Sequence, residues 1–392
     1  MALDQSTSML LLGDTHVGLR VPLANELRKA GIRVTIATPA GTTVNTGHPD
    51  IAVVPYPFDA KHPLNAAKAI KALRRSTKSD LVHAFSTTPA MLGSLASWLD
   101  RDGAYVRTVN GLGRSFCTPG ARGAAMRAAY TLSMMLLDRP IKASVFQNND
   151  DNAWYGTIPV LRKRNHRVIL GSGIDTQGFD LNAVSDDRLQ RAKTFLGSLD
   201  RPTALLVGRH MQTKGVDDLA HAAEIASDLT TTPLLFTVVG QTEPDLRLAT
   251  KAKSATFGSV EFKLLPTWSD MPALFAAANV VVLPTIYREG IPRVLLEGAS
   301  LSRPLIAYDV PGCREIVQSG SNGTLLSPGD VVGLAQSITN LLEDNDAQAR
   351  QGQRSRELIE ETFSVPLIAA QYAALYRELL GQTAPQADSV FG

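Results

Sequence analysis

Residues 283–300 read LPTIYREGIPRVLLEGAS. The stretch leaves the apolar run Val280–Leu283, crosses a polar loop and enters a helix whose first turn suits Pro292. A buried strand followed directly by a loop and a helix is the repeating unit of a parallel α/β domain. The stretch Gly290, Ile291, Pro292 and Arg293 is therefore expected to expose unpaired backbone N–H groups at a helix N-terminus, which attracts phosphate, Pro292 itself having no N–H to leave unpaired. Gly290 lets the backbone approach a ligand closely. Glu289 stands in the loop, and Glu297 lies about one turn after Arg293. A carboxylate accepts hydrogen bonds from two neighbouring hydroxyls, so one Glu suits a ribose diol and the other a sugar ring. A capping Glu289 with a solvated Glu297 is the other reading of the same residues.

The same alternation extends in both directions. Toward the N-terminus, strand-like runs occur at 9–12, 32–37, 51–54, 81–84, 105–109, 144–146 and 168–170, with helical segments or loops between them. In the first cycle Val21, Ala24, Leu27 and Ala30 recur at helical spacing until Gly31 ends the helix. After an aperiodic polar stretch, 178–187, a helix is expected near 188–199. Further strands follow at 204–207, 234–239, 260–264, 280–283, 305–307 and 324–326. The pattern predicts two Rossmann-like domains, 1–177 and 178–365. An amphipathic helix is expected over 366–381, and 382–392 would form a loose tail. Ligands belong in a cleft where the carboxyl ends of the two sheets meet.

Composition narrows the function. The 392 residues are 44% hydrophobic and 19% charged, an ordinary globular balance that excludes disordered and collagen-like chains. No apolar run approaches the roughly 18–20 residues of a membrane span, and MALDQSTSML lacks a basic region followed by an apolar one, so a cytoplasmic chain is expected. Cys117 and Cys313 stand far apart without His or Cys at metal-ligand spacing, so neither a metal site nor a disulfide framework is expected. Net charge is +2, which gives no support for nucleic-acid binding. The charge is unevenly spread: 101–167 holds eleven Lys/Arg and four Asp/Glu, a local +7. Gly13-Asp14-Thr15-His16-Val17-Gly18 has the wrong spacing for a dinucleotide fingerprint, and no P-loop, H-E-x-x-H or G-x-S-x-G motif occurs.

Glu289 and Glu297, eight positions apart, match the E-x7-E motif of retaining family 4 glycosyltransferases, and YREGIPRVLLEGAS resembles their bacterial surface-polysaccharide branch. A second block, VGRHMQTKG at 207–215, resembles the family's V-G-R-x-x-x-x-K-G loop. FQNNDD at 146–151, GSGID at 171–175, NGLGRSF at 110–116, LRVPLA at 19–24 and the helix within 363–376 follow in the family's order, so the resemblance covers roughly 9–380. It implies the two-domain GT-B fold, with the closing helix over 366–381 packing back on the N-terminal domain, and transfer of a sugar from a nucleotide diphosphate with retention at the anomeric carbon. No metal or cofactor is implied beyond the nucleotide-sugar co-substrate, with UDP the expected nucleotide. Glu289 would contact the donor sugar and Glu297 the ribose. Arg209 and Lys214, next to Gly208, would clamp the diphosphate, because fixed cations offset the charge growing on the leaving group. His16, Asn110, Gly111 and Arg114 would line the acceptor side.

The chain departs from that pattern in three places. Phe85 stands where many relatives carry an active-site His, with His83 one pleat repeat earlier as a partial substitute or a core residue. The first loop keeps Gly13 and Gly18 but no Gly-Gly pair, and FKLLP at 262–266 replaces a Phe-Leu-Gly turn. Cations between Arg122 and Lys142 alternate with Met126, Tyr130, Leu132, Met134, Met135, Leu136 and Leu137. That pattern fits either a helix packed on the sheet or one lying on an anionic membrane to reach a polyprenyl-diphosphate-linked acceptor. A saccharide acceptor is the simpler expectation. A nucleotide-sugar epimerase and a non-catalytic nucleotide-sugar-binding subunit are the alternatives.

Overall fold

The structure, a computed structural model, describes residues 7–59, 61–199, 201–242 and 254–382. The chain divides into two compact units between Gly173 and Ile174 and again between Ser364 and Val365. The sequence reading put the first division four residues later, at 177/178.

The first unit runs β1 (Ser8–Leu12), α1 (Val21–Lys29), β2 (Arg33–Pro39), β3 (Ala52–Tyr56), α2 (Pro63–Ser76), β4 (Leu81–Ala84), α3 (Thr87–Leu99), β5 (Ala104–Val109), α4 (Arg114–Cys117), α5 (Gly120–Leu137), β6 (Ala143–Phe146), α6 (Asn149–Gly156), α7 (Pro159–Arg162) and β7 (His166–Val168). Its strands pair in the order β3-β2-β1-β4-β5-β6-β7, all parallel. Strands covered on both faces read as continuous apolar runs, as every residue of Ser8–Leu12 is buried. β7 begins two residues before the expected 168–170, because Ser144 already donates to Asn165 O and the ladder starts there.

The second unit runs α8 (Asp186–Leu196), β8 (Thr203–Val207), α9 (Val216–Ala226), β9 (Leu234–Val239), β10 (Ser254–Phe257), β11 (Val260–Leu265), α10 (Met271–Ala276), β12 (Val280–Leu283), α11 (Arg293–Ser300), β13 (Leu305–Tyr308), β14 (Gly323–Leu326), α12 (Val331–Glu343) and α13 (Asn345–Leu358). The order is β10-β11-β9-β8-β12-β13-β14. β10, absent from the sequence reading, is an antiparallel edge strand joined to β11 by a turn in which Gly258 has φ +50°. Its polar half-exposed pattern carries no apolar run to signal it.

α14 (Val365–Leu379) returns to the first unit, where Ile368, Tyr372 and Tyr376 join the core beside α1. Gln382, assigned above to a loose tail, accepts a hydrogen bond from Thr7 Oγ1 at 2.6 Å; the rest of that tail, 383–392, lies outside the described residues.

Candidate active site

In each sheet the chain leaves the first strand to one side and later returns to the other, opening a crevice at the carboxyl ends of two adjacent strands. In the second unit these strands are β8 and β12. The loop after β8 carries Gly208, Arg209 and Lys214, and the loop after β12 carries Glu289, so parallel pairing sets the two predicted blocks side by side.

Hydrogen bonds fasten the two loops. Thr213 O accepts from Thr285 Oγ1 at 2.9 Å and from Ile286 N at 3.0 Å, while Thr285 Oγ1 also accepts from Tyr287 N at 3.0 Å. Gly215 sits at φ +77°, and a Cβ there would lie 2.0 Å from Pro284 O, so only glycine permits this approach. Lys214 Nζ pairs with Glu289 Oε1 and lies 5.6 Å from the Tyr287 ring centroid. Lys214 and Glu289 remain 18% and 20% exposed, within reach of a ligand. Arg209 is exposed on the same loop, beside the buried His210, whose Nδ1 is 2.9 Å from Thr242 Oγ1.

α11 positions the second carboxylate. A Cβ on Gly298 would meet Val281 Cγ2 at 2.6 Å, so glycine lets the helix lie against β12. Glu297 is thereby buried, its Oε1 accepting from Arg293 Nε at 2.7 Å. Burial pushes the Glu297 carboxyl up from its ordinary range, with Arg293 opposing the shift. Pro292 is the residue preceding the helix, at ψ 112°, rather than part of its first turn; Leu295 and Leu296 make the first bonds to its carbonyl. The cause is its extended ψ, which delays helical geometry to Arg293. Gly290 is buried and Ile291 half-buried, with the loop after β13 pressed against them: a Cβ on Gly312 would meet Gly290 O at 2.4 Å.

In the first unit the corresponding crevice lies between β1 and β4. Asp14, His16, Arg20, Phe85 and Ser86 line a small cavity there. His16 is 80% exposed in its side chain, and its backbone N–H donates to Asp14 Oδ1 at 2.9 Å. Phe85 is buried, with the Arg20 guanidinium 5.4 Å from its ring centroid. Ser86 holds φ +73° and ψ 158°, a conformation few non-glycine residues adopt, and Asn110 Oδ1 accepts from its N–H at 3.5 Å. Asn110 and Gly111 edge a second cavity nearby. Arg114 opens α4, and its side chain lies outside the described residues.

His83 is corrected as a substrate-binding candidate. It is 0% exposed, with Nδ1 2.7 Å from Tyr376 Oη and Nε2 2.7 Å from Thr108 Oγ1, and its ring stacks on Phe85. Both nitrogens are used and no face is open. Alternation along β4 indicated the shared face of positions 83 and 85, but only α14, arriving from nearly 300 residues away, shows that this face is covered. Sequence reasoning also missed Thr285, Tyr287, Arg20 and Ser86, whose roles rest on contacts between distant loops.

The family of glycosyl transferases group 1 matches residues 190–358, and the glycosyl transferase 4-like family matches residues 8–138. Together they cover the strand-loop-helix units that build both crevices. The chain is a glycosyltransferase with the GT-B fold, a 4-like domain followed by a group 1 domain. It is 22% identical over 91% of its length to the capsular polysaccharide biosynthesis glycosyltransferase CapM of Staphylococcus aureus, covering 93% of that protein. It is 29% identical over 210 residues, 50% of the chain, to the alpha-D-kanosaminyltransferase of Streptomyces kanamyceticus, and the match spans 51% of that enzyme. Among solved structures, sucrose-phosphate synthase from Thermosynechococcus elongatus superposes with a TM-score of 0.75 at 19% identity, covering 96% of this chain and 99% of that one. Anabaena HepE in complex with UDP-glucose gives 0.72 at 18% identity, covering 95% and 99%.

Proposed function

We propose that this glycosyltransferase moves a sugar from a UDP-sugar to a growing surface glycan or its lipid-linked precursor, with retention and without a metal ion. The observation that carries the reading is the meeting of Lys214 with Glu289 at the β8/β12 crevice, beside α11 and Glu297. In the reaction the bond from the anomeric carbon to the diphosphate oxygen breaks, and a bond to the acceptor oxygen forms on the same face. The acceptor proton passes to the departing diphosphate. Arg209 and Lys214 offset the charge growing there, Glu289 orients the sugar and stabilises positive character at its anomeric carbon, and Glu297 accepts from the ribose hydroxyls. HepE complexed with UDP-glucose supports the nucleotide, and CapM supports the glycan acceptor.

The test is UDP release by purified protein with UDP- and GDP-sugars, with and without a lipid extract, in EDTA. Release that survives EDTA, requires acceptor and disappears in Glu289→Ala and Arg209→Ala supports the reading. Conversion of a UDP-sugar without acceptor would favour an epimerase, and binding without turnover on any acceptor a binding subunit.

Peripheral contact with an anionic membrane belongs to the same proposal. α5 carries no acidic residue, exposes Leu132 at 58% and Leu136 at 62%, and is followed by Arg139 and Lys142. Among the described residues no helix is long and apolar enough to cross a membrane. Sedimentation with anionic vesicles, weakened by salt and by Leu136→Glu, is the expected result; unchanged sedimentation would remove this part.

A further inference from the structure

Two helix-to-strand loops of the first unit, from α3 into β5 and from α5 into β6, take no part in the β1/β4 crevice. In a parallel sheet such loops lie at the amino edge of the strands, opposite the carboxyl edge where that crevice opens. Arg101 and Gly103 precede Ala104, the first residue of β5, and Arg139 and Lys142 precede Ala143, the first of β6. The two strands are paired neighbours, so the loops meet, and Lys142 N donates to Tyr105 O at 2.8 Å. Trp98, Arg101, Arg139, Ile141 and Lys142 border an open, mostly polar groove there.

The groove is basic. Asp100 is its one acidic lining residue, and that carboxylate is spent. Its side chain is 0% exposed, accepts from Arg74 Nε at 2.5 Å and Nη2 at 3.2 Å and from Tyr105 Oη at 3.0 Å, and lies 3.5 Å from Arg75 Nη2. A Cβ on Gly103 would meet Arg74 Nε and Tyr105 Cε2, both at 2.7 Å, so glycine gives these two side chains the room to converge on Asp100. Asp102 lies 4.0 Å from Arg75 Nη2, and Asp138 is buried against Arg107. Arg101, Arg139 and Lys142 are exposed and have no ion-pair partner among the described residues. Trp98 is 42% exposed, whereas Trp154 packs on Phe116 and Trp268 on Phe195.

An exposed indole offers apolar contact to the C–H face of a sugar ring, and cations around it take charged groups carried on the rings. A neutral glycan would leave the cations without partners, and a simple anion would leave the indole bare. We propose that this groove binds an acidic saccharide, one bearing carboxylate or phosphate groups on its rings, at the edge of the sheet opposite the crevice. Trp98 stacks on a ring, and Arg101, Arg139 and Lys142 take the charges. That the saccharide is a distal stretch of the growing glycan rests on the transferase reading; the groove itself does not.

The experiment titrates the full chain with oligogalacturonate, which carries a carboxylate on every ring, with maltooligosaccharide of equal length and with phosphatidylglycerol vesicles, read by tryptophan fluorescence and calorimetry. The variants are Trp98→Ala and the double change of Arg139→Ser with Lys142→Ser. These side chains are exposed, and circular dichroism checks that the fold is kept. Saturable binding of oligogalacturonate is expected, at least about tenfold tighter than the neutral chain and about tenfold weaker in each variant. No binding, or equal affinity for the two saccharides, overturns the proposal. So does an unchanged calorimetric affinity in Trp98→Ala, because attraction to bare charge does not need the indole. Vesicles that move the fluorescence where oligogalacturonate does not would assign the groove to the membrane and overturn it too. UDP release on the same preparation keeps the two readings apart. A chain that binds oligogalacturonate and releases no UDP with any acceptor loses the transferase reading and keeps the groove; one that releases UDP and ignores oligogalacturonate does the reverse. A KM about tenfold lower for a long acidic acceptor than for a short one, the gap closing in the double variant, identifies the bound saccharide as the growing glycan. Equal KM values with binding retained remove that assignment.

Discussion

Lys214 Nζ is bonded to Oε1 of Glu289, 75 residues further along the chain. The contact arises because β8 and β12 are neighbours, so the cation proposed for the leaving diphosphate and the carboxylate proposed for the sugar share one crevice. Lys214→Ala is expected to lower kcat roughly 10²–10³-fold, the scale of removing one preorganised charge from a reacting site. Glu289→Gln should lower kcat while leaving UDP affinity within about twofold. Because the residues touch, the double variant should lose less than the product of the single losses, as measured by UDP release.

Gly215→Ala should destabilise the second unit by about 1–3 kcal/mol, since it adds strain at φ +77° to a clash with Pro284 O. Urea unfolding measures the loss, and calorimetry should show weaker UDP binding as the β8 and β12 loops part.

Burial, followed by the positive charge of Arg20, pushes the His83 imidazole down from 6.5 to about 3. The unfolded chain takes up this proton below about pH 6.5 while the folded chain resists until about pH 3, so stability is full above 6.5 and declines as pH falls between the two. The slope contributed is about 1.4 kcal/mol per pH unit at most. His83→Gln should flatten the fall in urea midpoint between pH 6.5 and 4. Tyr376→Phe should cost about 1–3 kcal/mol at neutral pH by leaving His83 Nδ1 without its partner.

Ser86 carries its positive φ at the head of α3. Ser86→Gly should leave thermal stability unchanged or raise it by about 1 kcal/mol, whereas Ser86→Val should lower it by more than that. Differential scanning calorimetry of the two variants reads the contrast.

Much of the candidate site was legible because its residues come in blocks. VGRHMQTKG and EGIPRVLLE each follow a buried strand, and a strand-loop-helix unit in a parallel sheet delivers its loop to the carboxyl edge whatever the rest of the chain does. Position along the block therefore fixed which residues reach the crevice. The strands were legible for a similar reason, as burial on both faces demands unbroken apolar runs. β10 escaped because an edge strand needs no such run, and the start of α11 shifted by one because Pro292 is extended.

By itself the sequence determined the two sets of alternating strands and helices, the loops that carry Arg209, Lys214 and Glu289, and the glycines that let those loops close. Tertiary structure alone decided which loops touch: the Lys214–Glu289 pair follows from strand order, which local periodicity does not encode. It also decided that His83 is a core residue, since Tyr376 reaches it from α14, 293 residues away. Arg107 belongs to the same category. On a strand it reads as one more cation, and only the packing of α3 and α5 around β5 buries it and leaves Nη1 without a partner. Periodicity records which face of an element is apolar, whereas burial of a charge and the partners it finds depend on what the rest of the chain brings to that face.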